Sequence, residues 1–383
     1  MSKTCSALAC NLDADLLSAA LPLFEAGQVE ALEWSFDALF QIQTMPSWFT
    51  DLLEAYASEK RLVGHGIFFS LFSGKWLKEQ QDWLFQLHKL SRQFHFDHIT
   101  EHFGFMTGEN FHQGAPLSVP FNATTLAIGQ DRLKRIQQAC ECPVGLENLA
   151  FAYTLDEVKK HGEFLHALIE PVNGFLILDL HNVYCQMSNF ELNLNDVLLL
   201  YPIHRVREIH ISGGSWADST VLADKKIRRD THDDPVPSPV FDMLEQAIPL
   251  CPNLKYVVLE QLGTSLKTSA SQAAFRSDFH AMDRIVQKTK SLQPKTPDYL
   301  FLPQSSYPVA EIPLESPLLY QQQKELSAIL ETATSYEQAA ALLRQSNLAQ
   351  TDWGIERWQP EMLETAWQIA QKWKLGFDVH PDK

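Results

Sequence analysis

A short acidic stretch near the middle of the chain contains residues well suited to bind a cation. In the sequence DTHDD, residues 230–234, three carboxylates and one imidazole stand within five positions. Carboxylates this close repel each other, so a counter-charge is needed to hold them together. Asp230 and His232 are two positions apart, so an extended segment would aim both side chains the same way. The stretch is therefore a candidate metal-binding segment.

Other side chains that can bind metals stand at the ends of predicted strands. Six of the eight predicted strands end in His, Asp or Glu. These residues and their polar neighbours are His65, Glu101, His102, Glu147, Asn148, Asp179, His181, Asn182, His210 and Glu260. Because unpaired buried charges cost several kcal/mol each, simple packing does not account for the set. The pattern favours metal ions as the missing positive charge.

The elements that must position these side chains form a regular β–α alternation. Strand patterns lie at 6–10, 29–36, 61–70, 94–105, 143–151, 174–184, 205–214 and 254–262. Eight such units predict an α/β fold with a closed (β/α)8 barrel of the TIM type, whose strands all end at one mouth. The loop with Asp230 and His232 joins strands seven and eight at that mouth. An open doubly wound sheet would need a glycine-rich phosphate loop after an early strand, which this sequence lacks.

The chain is predicted to have three parts. Residues 1–290 form the barrel, 291–317 form a proline-rich segment typical of a linker, and 318–383 form a small helical extension at the C-terminus. A proline-rich linker advances about 3.1 Å per residue, so it can reach across a barrel. The extension is expected either to serve substrate delivery or partner docking, or to cover apolar barrel helices.

Composition and charge exclude several functional classes. The 383 residues are 45% hydrophobic and 20% charged, which is typical of globular proteins. The formal net charge of −16 disfavours binding to nucleic acids or anionic membranes. The sequence has no apolar run of transmembrane length, and Asp13 and Asp15 stand where a signal peptide would need an apolar core. With six scattered cysteines, we expect a cytoplasmic protein.

The types of candidate ligand narrow the choice of metal. Imidazoles and carboxylates without thiolates favour iron, manganese or zinc over magnesium or copper(I). The candidates are too many for one ion, and a bridging glutamate would let them hold two or three ions about 3.5–4 Å apart. The sequence therefore predicts a multinuclear centre.

Six motifs, taken together and in order, resemble the DUF692 family, whose members are called multinuclear non-heme iron-dependent oxidases. The motifs are VGHGIFFS, TEHFGF, GLENLAF, LILDLHNVY, VREIHISGG and DTHDDPVPSPV, within residues 5–290. The resemblance implies a TIM-type barrel of the xylose-isomerase-like group with two or three iron ions in a mixed-valent state. It also implies that dioxygen is the co-substrate and that cysteine residues of a ribosomally made peptide are modified, often with a partner protein that delivers the peptide.

The same resemblance implies roles for individual residues. Carried over by motif, the iron ligands would be His65, His102, Glu147, Asp179, His181, His210, Asp230, His232 and Glu260. We assign catalysis to Glu147, Asp179 and His210, and expect Glu101, Asn148, Asn182 and Asp233 to orient the ligands. Three positions depart from the family's common residues, since His181 replaces Asn, Asp234 replaces His and Gln261 replaces Trp. The first departure adds a candidate ligand.

Three other functions remain open from the sequence. A zinc hydrolase of the endonuclease IV kind uses a similar barrel and ligand set, but it would need a basic groove for DNA, against a net charge of −16. A sugar isomerase or epimerase with one divalent ion would need fewer ligands and a lysine at the mouth, and the six motifs contain no lysine. The third is a scaffold without activity, and the intact ligand set argues against it.

Overall fold

Eight short strands of buried, mostly apolar residues form the centre of the molecule. The computed structural model describes residues 4–40, 44–108, 113–289, 300–303 and 309–375. Its parallel barrel strands are β1 (Cys5–Cys10), β2 (Ala31–Trp34), β3 (Leu62–Gly66), β4 (Phe96–Glu101), β5 (Val144–Glu147), β6 (Phe175–Asp179), β7 (Val206–Ile211) and β8 (Tyr256–Leu259). Because β1 pairs with both β2 and β8, the sheet closes on itself. The predicted (β/α)8 barrel is confirmed.

Nine helices of the described residues follow the barrel strands. They are α1 (Ala14–Glu25), α2 (Ser47–Ser58), α3 (Lys78–Gln93), α4 (Ala123–Cys140), α5 (Leu155–Ile169), α6 (Leu180–Phe190), α7 (Leu194–Leu198), α8 (Ser238–Ala247) and α9 (Ser269–Thr289). Polar caps begin several of them, as where Asp13 accepts from the Leu16 amide and Thr154 from the Glu157 amide. Among the described residues, no helix has both the length and the apolar character needed to cross a membrane.

The sixth strand is shorter than the sequence pattern predicts. The apolar run to residue 184 suggested one strand, but β6 ends at Asp179 and α6 begins at Leu180. The reason is local, because the Asp179 carboxylate accepts a hydrogen bond from the Asn182 amide at 2.5 Å and so caps the helix. His181 and Asn182 therefore lie in the first helical turn rather than on an extended strand end.

The barrel interior changes from apolar to polar toward the mouth. A cluster of small and aromatic side chains includes Ala31, Val63 and Val258. Alternate residues of a strand share a face, so the next interior positions along β2 and β3 are Glu33 and His65. Glu260 has the same relation to Val258 at the end of β8. The chain thus places carboxylates and imidazoles directly above an apolar layer.

The predicted linker and extension pack against the barrel where the structure describes them. Phe301 is buried, with its ring 5.7 Å from that of Phe175, and the carbonyls of Ala310 and Leu314 accept hydrogen bonds from Arg135 and Arg132 of α4. The extension comprises α10 (Pro317–Thr332), α11 (Tyr336–Gln345) and α12 (Pro360–Trp373), whose buried side chains join the barrel's main hydrophobic cluster. Residues 291–299, 304–308 and 376–383 of these predicted parts lie outside the described residues.

Candidate metal centre

Two imidazoles meet one carboxylate oxygen at the ends of β3, β4 and β5. His65 Nε2 lies 3.2 Å and His102 Nε2 lies 3.3 Å from the same atom, Glu147 Oε2. The two rings are 4.5 Å apart between centroids. These three residues come from neighbouring strands, so the barrel ladder brings them together although they are far apart in sequence. They form the strand half of the site.

The protonation of both imidazoles follows from their other hydrogen bonds. His102 Nδ1 donates to the Gly66 carbonyl, which can only accept. The Thr100 hydroxyl donates to the Gly64 carbonyl, so it accepts from His65 Nδ1. Burial lowers the pKa of both histidines, which favours neutral rings. Each Nε2 therefore carries a lone pair that faces Glu147 Oε2, an arrangement that is repulsive without a cation between them.

Two asparagines contact the residues at the ends of β5 and β6, Asn182 through the Glu147 carboxylate and Asn148 through the Asp179 backbone. Asn182 donates to Glu147 Oε1 at 3.1 Å and to the Asn148 carbonyl at 2.8 Å. Asn148 in turn accepts from the Asp179 amide at 2.7 Å and donates to the Asp179 carbonyl. Both asparagines therefore contact predicted ligands, one through a carboxylate and the other through the backbone. The Asp179 pKa is raised well above its usual range by burial and by the nearby Glu147.

His210 lies at the centre of a second group of carboxylates. Its Nδ1 is 3.3 Å from Glu260 Oε2, and its Nε2 is 3.1 Å from Glu33 Oε2. Ligand atoms of His210, Glu147 and Asp179 lie within 4.8 Å of one another, as do those of His210, Glu33 and Glu260. Burial would lower the pKa of His210, but Glu260 and Glu33 raise it well above its usual range.

Asp230, in the long loop between β7 and β8, contacts the imidazoles of His181 on α6 and of His232 in the same loop. Asp230 and His232 form the loop half of the site. Asp230 Oδ1 is 2.9 Å from His181 Nδ1 and 2.9 Å from His232 Nε2. Burial would lower the pKa of His232, but Asp230 raises it to about 10, so a proton must leave before an ion binds there. His232 Nδ1 lies 3.7 Å from Glu260, which connects this loop half of the site to the strands.

His181 is engaged on both ring nitrogens. Its Nε2 accepts hydrogen bonds from the Arg228 guanidinium at 2.9 and 3.2 Å, so the ring proton is on Nδ1 and is donated to Asp230. This geometry makes His181 a support for Asp230. It is also not in the three ligand groups found among the described residues, which are His65–His102–Glu147, Glu33–His210–Glu260 and Glu147–Asp179–His210.

The other two expected orienting residues differ from each other. Glu101 is buried, accepts from the His102 amide at 3.1 Å, and so supports a predicted ligand through the backbone. Burial and the nearby Asp37 raise the Glu101 pKa well above its usual range. Asp233 is exposed and accepts from the Thr231 hydroxyl, so it orders the turn of the loop rather than an imidazole.

Three predicted ligands and the neighbouring Glu33 have buried polar atoms without a hydrogen bond. Within the described residues these atoms include Glu33 Oε1, Glu147 Oε2, Asp179 Oδ2 and His210 Nδ1. They converge on the same small region, and an unsatisfied buried polar atom costs about 1–3 kcal/mol. Bound cations would satisfy them together, and the mixture of nitrogen and oxygen donors fits iron, manganese or zinc. The residues therefore fit the multinuclear iron centre that the family resemblance implies.

Two residues of the site were missed from the sequence. Glu33 is fully buried and contacts His210, and Arg228 is buried against His181. The sequence contains a signal for Glu33, because a carboxylate interrupts the apolar strand ALEW at a position that faces the interior. Arg228 has no comparable signal, because it belongs to a loop whose path depends on tertiary contacts.

The centre is partly exposed to solvent at three of its predicted ligands. The side chains of His102, Asp230 and His232 are 27%, 25% and 24% exposed, whereas those of His65 and His210 are 3% and 0% exposed. Small molecules could therefore approach the candidate ligands from the mouth.

The family assignment agrees with this geometry. The family model described as "RiPP precursor modification enzyme MbnB/TglH/ChrH" matches residues 33–264, which include every predicted ligand. The chain belongs to this family. Similar proteins include a UPF0276 protein of Acaryochloris marina, 28% identical over 199 residues, which are 51% of this chain and 68% of that protein. A UPF0276 protein of Caulobacter vibrioides is 28% identical over 198 residues, 51% of this chain and 67% of the relative.

Solved structures with a similar chain path share little sequence with this protein. The IOLI protein with a bound zinc atom has 12% identity and a TM-score of 0.47, covering 74% of this chain and 98% of that chain. Endonuclease IV from Thermus thermophilus has 10% identity and a TM-score of 0.45, covering 73% of this chain and 98% of that chain.

Proposed function

We propose that the protein is a multinuclear non-heme iron oxidase that uses dioxygen to modify cysteine residues of a ribosomally made peptide. Two or three iron ions would be held by the strand half, by Asp179, His210 and Glu260, and by the loop half. The membership of a family of peptide-precursor modification enzymes supports the substrate class. A separate protein that delivers the peptide would be compatible with the open mouth.

One observation gives the main support for the metal centre in this proposal. The lone pairs of His65 Nε2 and His102 Nε2 face the same Glu147 oxygen at 3.2 and 3.3 Å. Three electron-rich atoms at this spacing need a cation among them, because both imidazole protons are already used on the far side of each ring. Ligand atoms of Glu147 also lie within 4.8 Å of those of Asp179 and His210, so Glu147 would help to hold the ions of both groups.

The chain's own residues would prepare the chemistry in three ways. Bound iron would supply the redox chemistry and a coordination position for a substrate thiolate. Asn182 holds one Glu147 oxygen by a hydrogen bond, which leaves the other oxygen for the ions. The buried side chains of His65 and His210 keep water from the inner side of the centre, while the partly exposed His102, Asp230 and His232 leave room for the peptide.

The metal is tested by purifying the protein without oxygen and measuring iron, zinc and manganese per chain. We expect two or three iron ions, and an electron paramagnetic resonance signal of a mixed-valent centre after partial oxidation. Stoichiometric zinc that iron cannot replace would favour a hydrolase instead.

The substrate is tested with the cysteine-containing peptides encoded next to the gene. Incubation with the iron-loaded protein and dioxygen should change the peptide mass, and replacing the peptide's cysteines by serine should abolish the change. An unchanged mass for every neighbouring peptide, with dioxygen consumption equally unaffected by them, would contradict the peptide substrate.

A further inference from the structure

The C-terminal extension holds the loop that carries Asp230 and His232 through a buried carboxylate. Glu364 of α12 is only 2% exposed. It accepts hydrogen bonds from Ser219 Oγ at 2.7 Å, from the Thr220 amide at 2.9 Å and from Thr220 Oγ1 at 2.5 Å. All three donors belong to one turn of the loop between β7 and β8. Because an unpaired buried carboxylate is costly, this contact selects one position of the turn relative to α12.

Apolar contacts support the same attachment. Met362 of α12 packs in a buried cluster with Ile227 of the loop and Phe190 of α6. At the start of α12, Trp358 stacks on Tyr153 with 3.7 Å between ring centroids, and the Gln359 amide donates to the Tyr153 carbonyl. The helix therefore contacts both the loop that follows β5 and the loop that follows β7.

A short chain of contacts connects the turn to the candidate ligands. The turn joins two antiparallel segments, Trp216–Asp218 and Lys226–Arg228. Arg228 ends the second segment and binds His181. Beyond it, the Arg229 amide donates to the Ser215 carbonyl and the Ser215 amide donates to the Thr231 hydroxyl, on either side of Asp230. The position of the turn is thus transmitted to the segment with Asp230 and His232 by strand pairing and by these hydrogen bonds.

We infer that α12 is an internal brace that positions the loop half of the metal centre, with Glu364 as the positioning residue. This inference rests on the proposed function, because it takes Asp230 and His232 to be ligands. It gives the extension a role in assembling the site, although the family model ends at residue 264 and does not include it.

The test uses the full-length chain and manganese(II) or iron(II) alone as the probe. Glu364→Ala should weaken the binding of one ion about tenfold or more, while the ions of the strand half keep their affinity. Glu364→Gln, which can still accept from the Thr220 amide, should recover most of the binding. Glu325→Ala is the matched control, because the described contacts of Glu325 are with Asn347 within the extension and not with the loop.

A second variant approaches the contact from the loop. Ser219→Ala with Thr220→Val removes both hydroxyl donors from a turn that is partly exposed, so the fold should tolerate the change. Selective loss of one ion in this variant would support the brace independently of the stability of α12. If both variants bind every ion as tightly as the wild type, the brace is wrong while the metal centre stands. A wild-type protein that binds no metal would overturn both proposals.

Discussion

The two halves of the candidate metal centre are held in place in different ways. In the strand half, the parallel ladder sets His65 beside Thr100 and so fixes the ring relative to β4. In the loop half, His232 has a φ of 53°, a left-handed conformation that costs about 1–2 kcal/mol outside glycine. The Leu262 amide donates to the His232 carbonyl and stabilises that conformation. One half is positioned by the barrel itself, and the other by contacts from several distant segments.

This difference indicates how each half should respond to change. The strand half should tolerate changes in loops and in the extension, because its backbone belongs to the closed sheet. The loop half depends on side chains from α6, α12 and the segment after β8, so single substitutions far from the ions should affect it. The variants below are ordered by the size of the expected effect.

The largest effect is expected at Glu147, the residue that the strand half shares with the group of Asp179 and His210. Glu147→Gln should remove more than one ion per chain, because Glu147 contacts both His65–His102 and the group of Asp179 and His210. His65→Ala should remove about one ion, because it removes a terminal ligand. Metal analysis of proteins loaded without oxygen measures both. Equal losses for the two variants would argue against a bridging role of Glu147.

A smaller loss is expected from the loop half alone. Asp230→Ala should remove one ion and leave the strand half loaded, because Asp230 contacts the imidazoles of His181 and His232. Titration with iron(II) or manganese(II) measures the number of sites that remain. Asp233→Ala is the matched control, an exposed carboxylate of the same loop that binds only the Thr231 hydroxyl among its described contacts. Loss of every ion on Asp230→Ala would show that the halves do not bind separately.

Glu33→Gln should weaken metal binding without removing a ligand of the strand half. Glu33 accepts from His210 Nε2 at 3.1 Å, and a carboxylate in this position fixes the ring and increases the basicity of the other nitrogen. Loss of such a contact typically lowers metal affinity by about 10–100-fold. Competition with a chelator measures the change. Unchanged affinity, with the fold intact, would show that His210 is positioned by the barrel alone.

The smallest effect concerns the joint between the extension and the loop after β5. Burial raises the pKa of Glu157 to about 7, and its carboxylate accepts from the amide of Tyr153, the residue on which Trp358 stacks. The folded chain binds this proton more tightly than the unfolded chain, so the carboxylate lowers the stability of the fold as pH rises from about 4.5 through 7.

Glu157→Gln should therefore raise the melting temperature by a few degrees at pH 8, and the difference should shrink toward pH 5. Thermal unfolding at both pH values measures this, with Asp156→Asn as an exposed neighbouring control. The metal content of the strand half should stay the same in both variants. A melting-temperature difference that does not change with pH would mean that Glu157 does not bind a proton in this range.

The sequence alone determined the barrel and the identity of most residues around its mouth. Alternating strand and helix patterns are local, and parallel strands necessarily bring their carboxyl ends together. For this reason His65 and Glu260 could be assigned to one site although nearly two hundred residues separate them. The family assignment could also be made from the motifs, because each motif is a continuous stretch at a strand end.

The tertiary structure alone decided how the side chains pair. Strand periodicity could not show that Glu33 contacts His210, that Arg228 occupies His181 Nε2, or that α12 reaches the loop with Asp230. Each of these contacts joins segments that are distant in the chain. The partners come within hydrogen-bond distance only after the barrel has closed. The end of β6 at Asp179 lies between these two cases. The hydrogen bond that caps the helix is local in sequence, but an apolar run alone cannot distinguish a strand from the first turn of a buried helix.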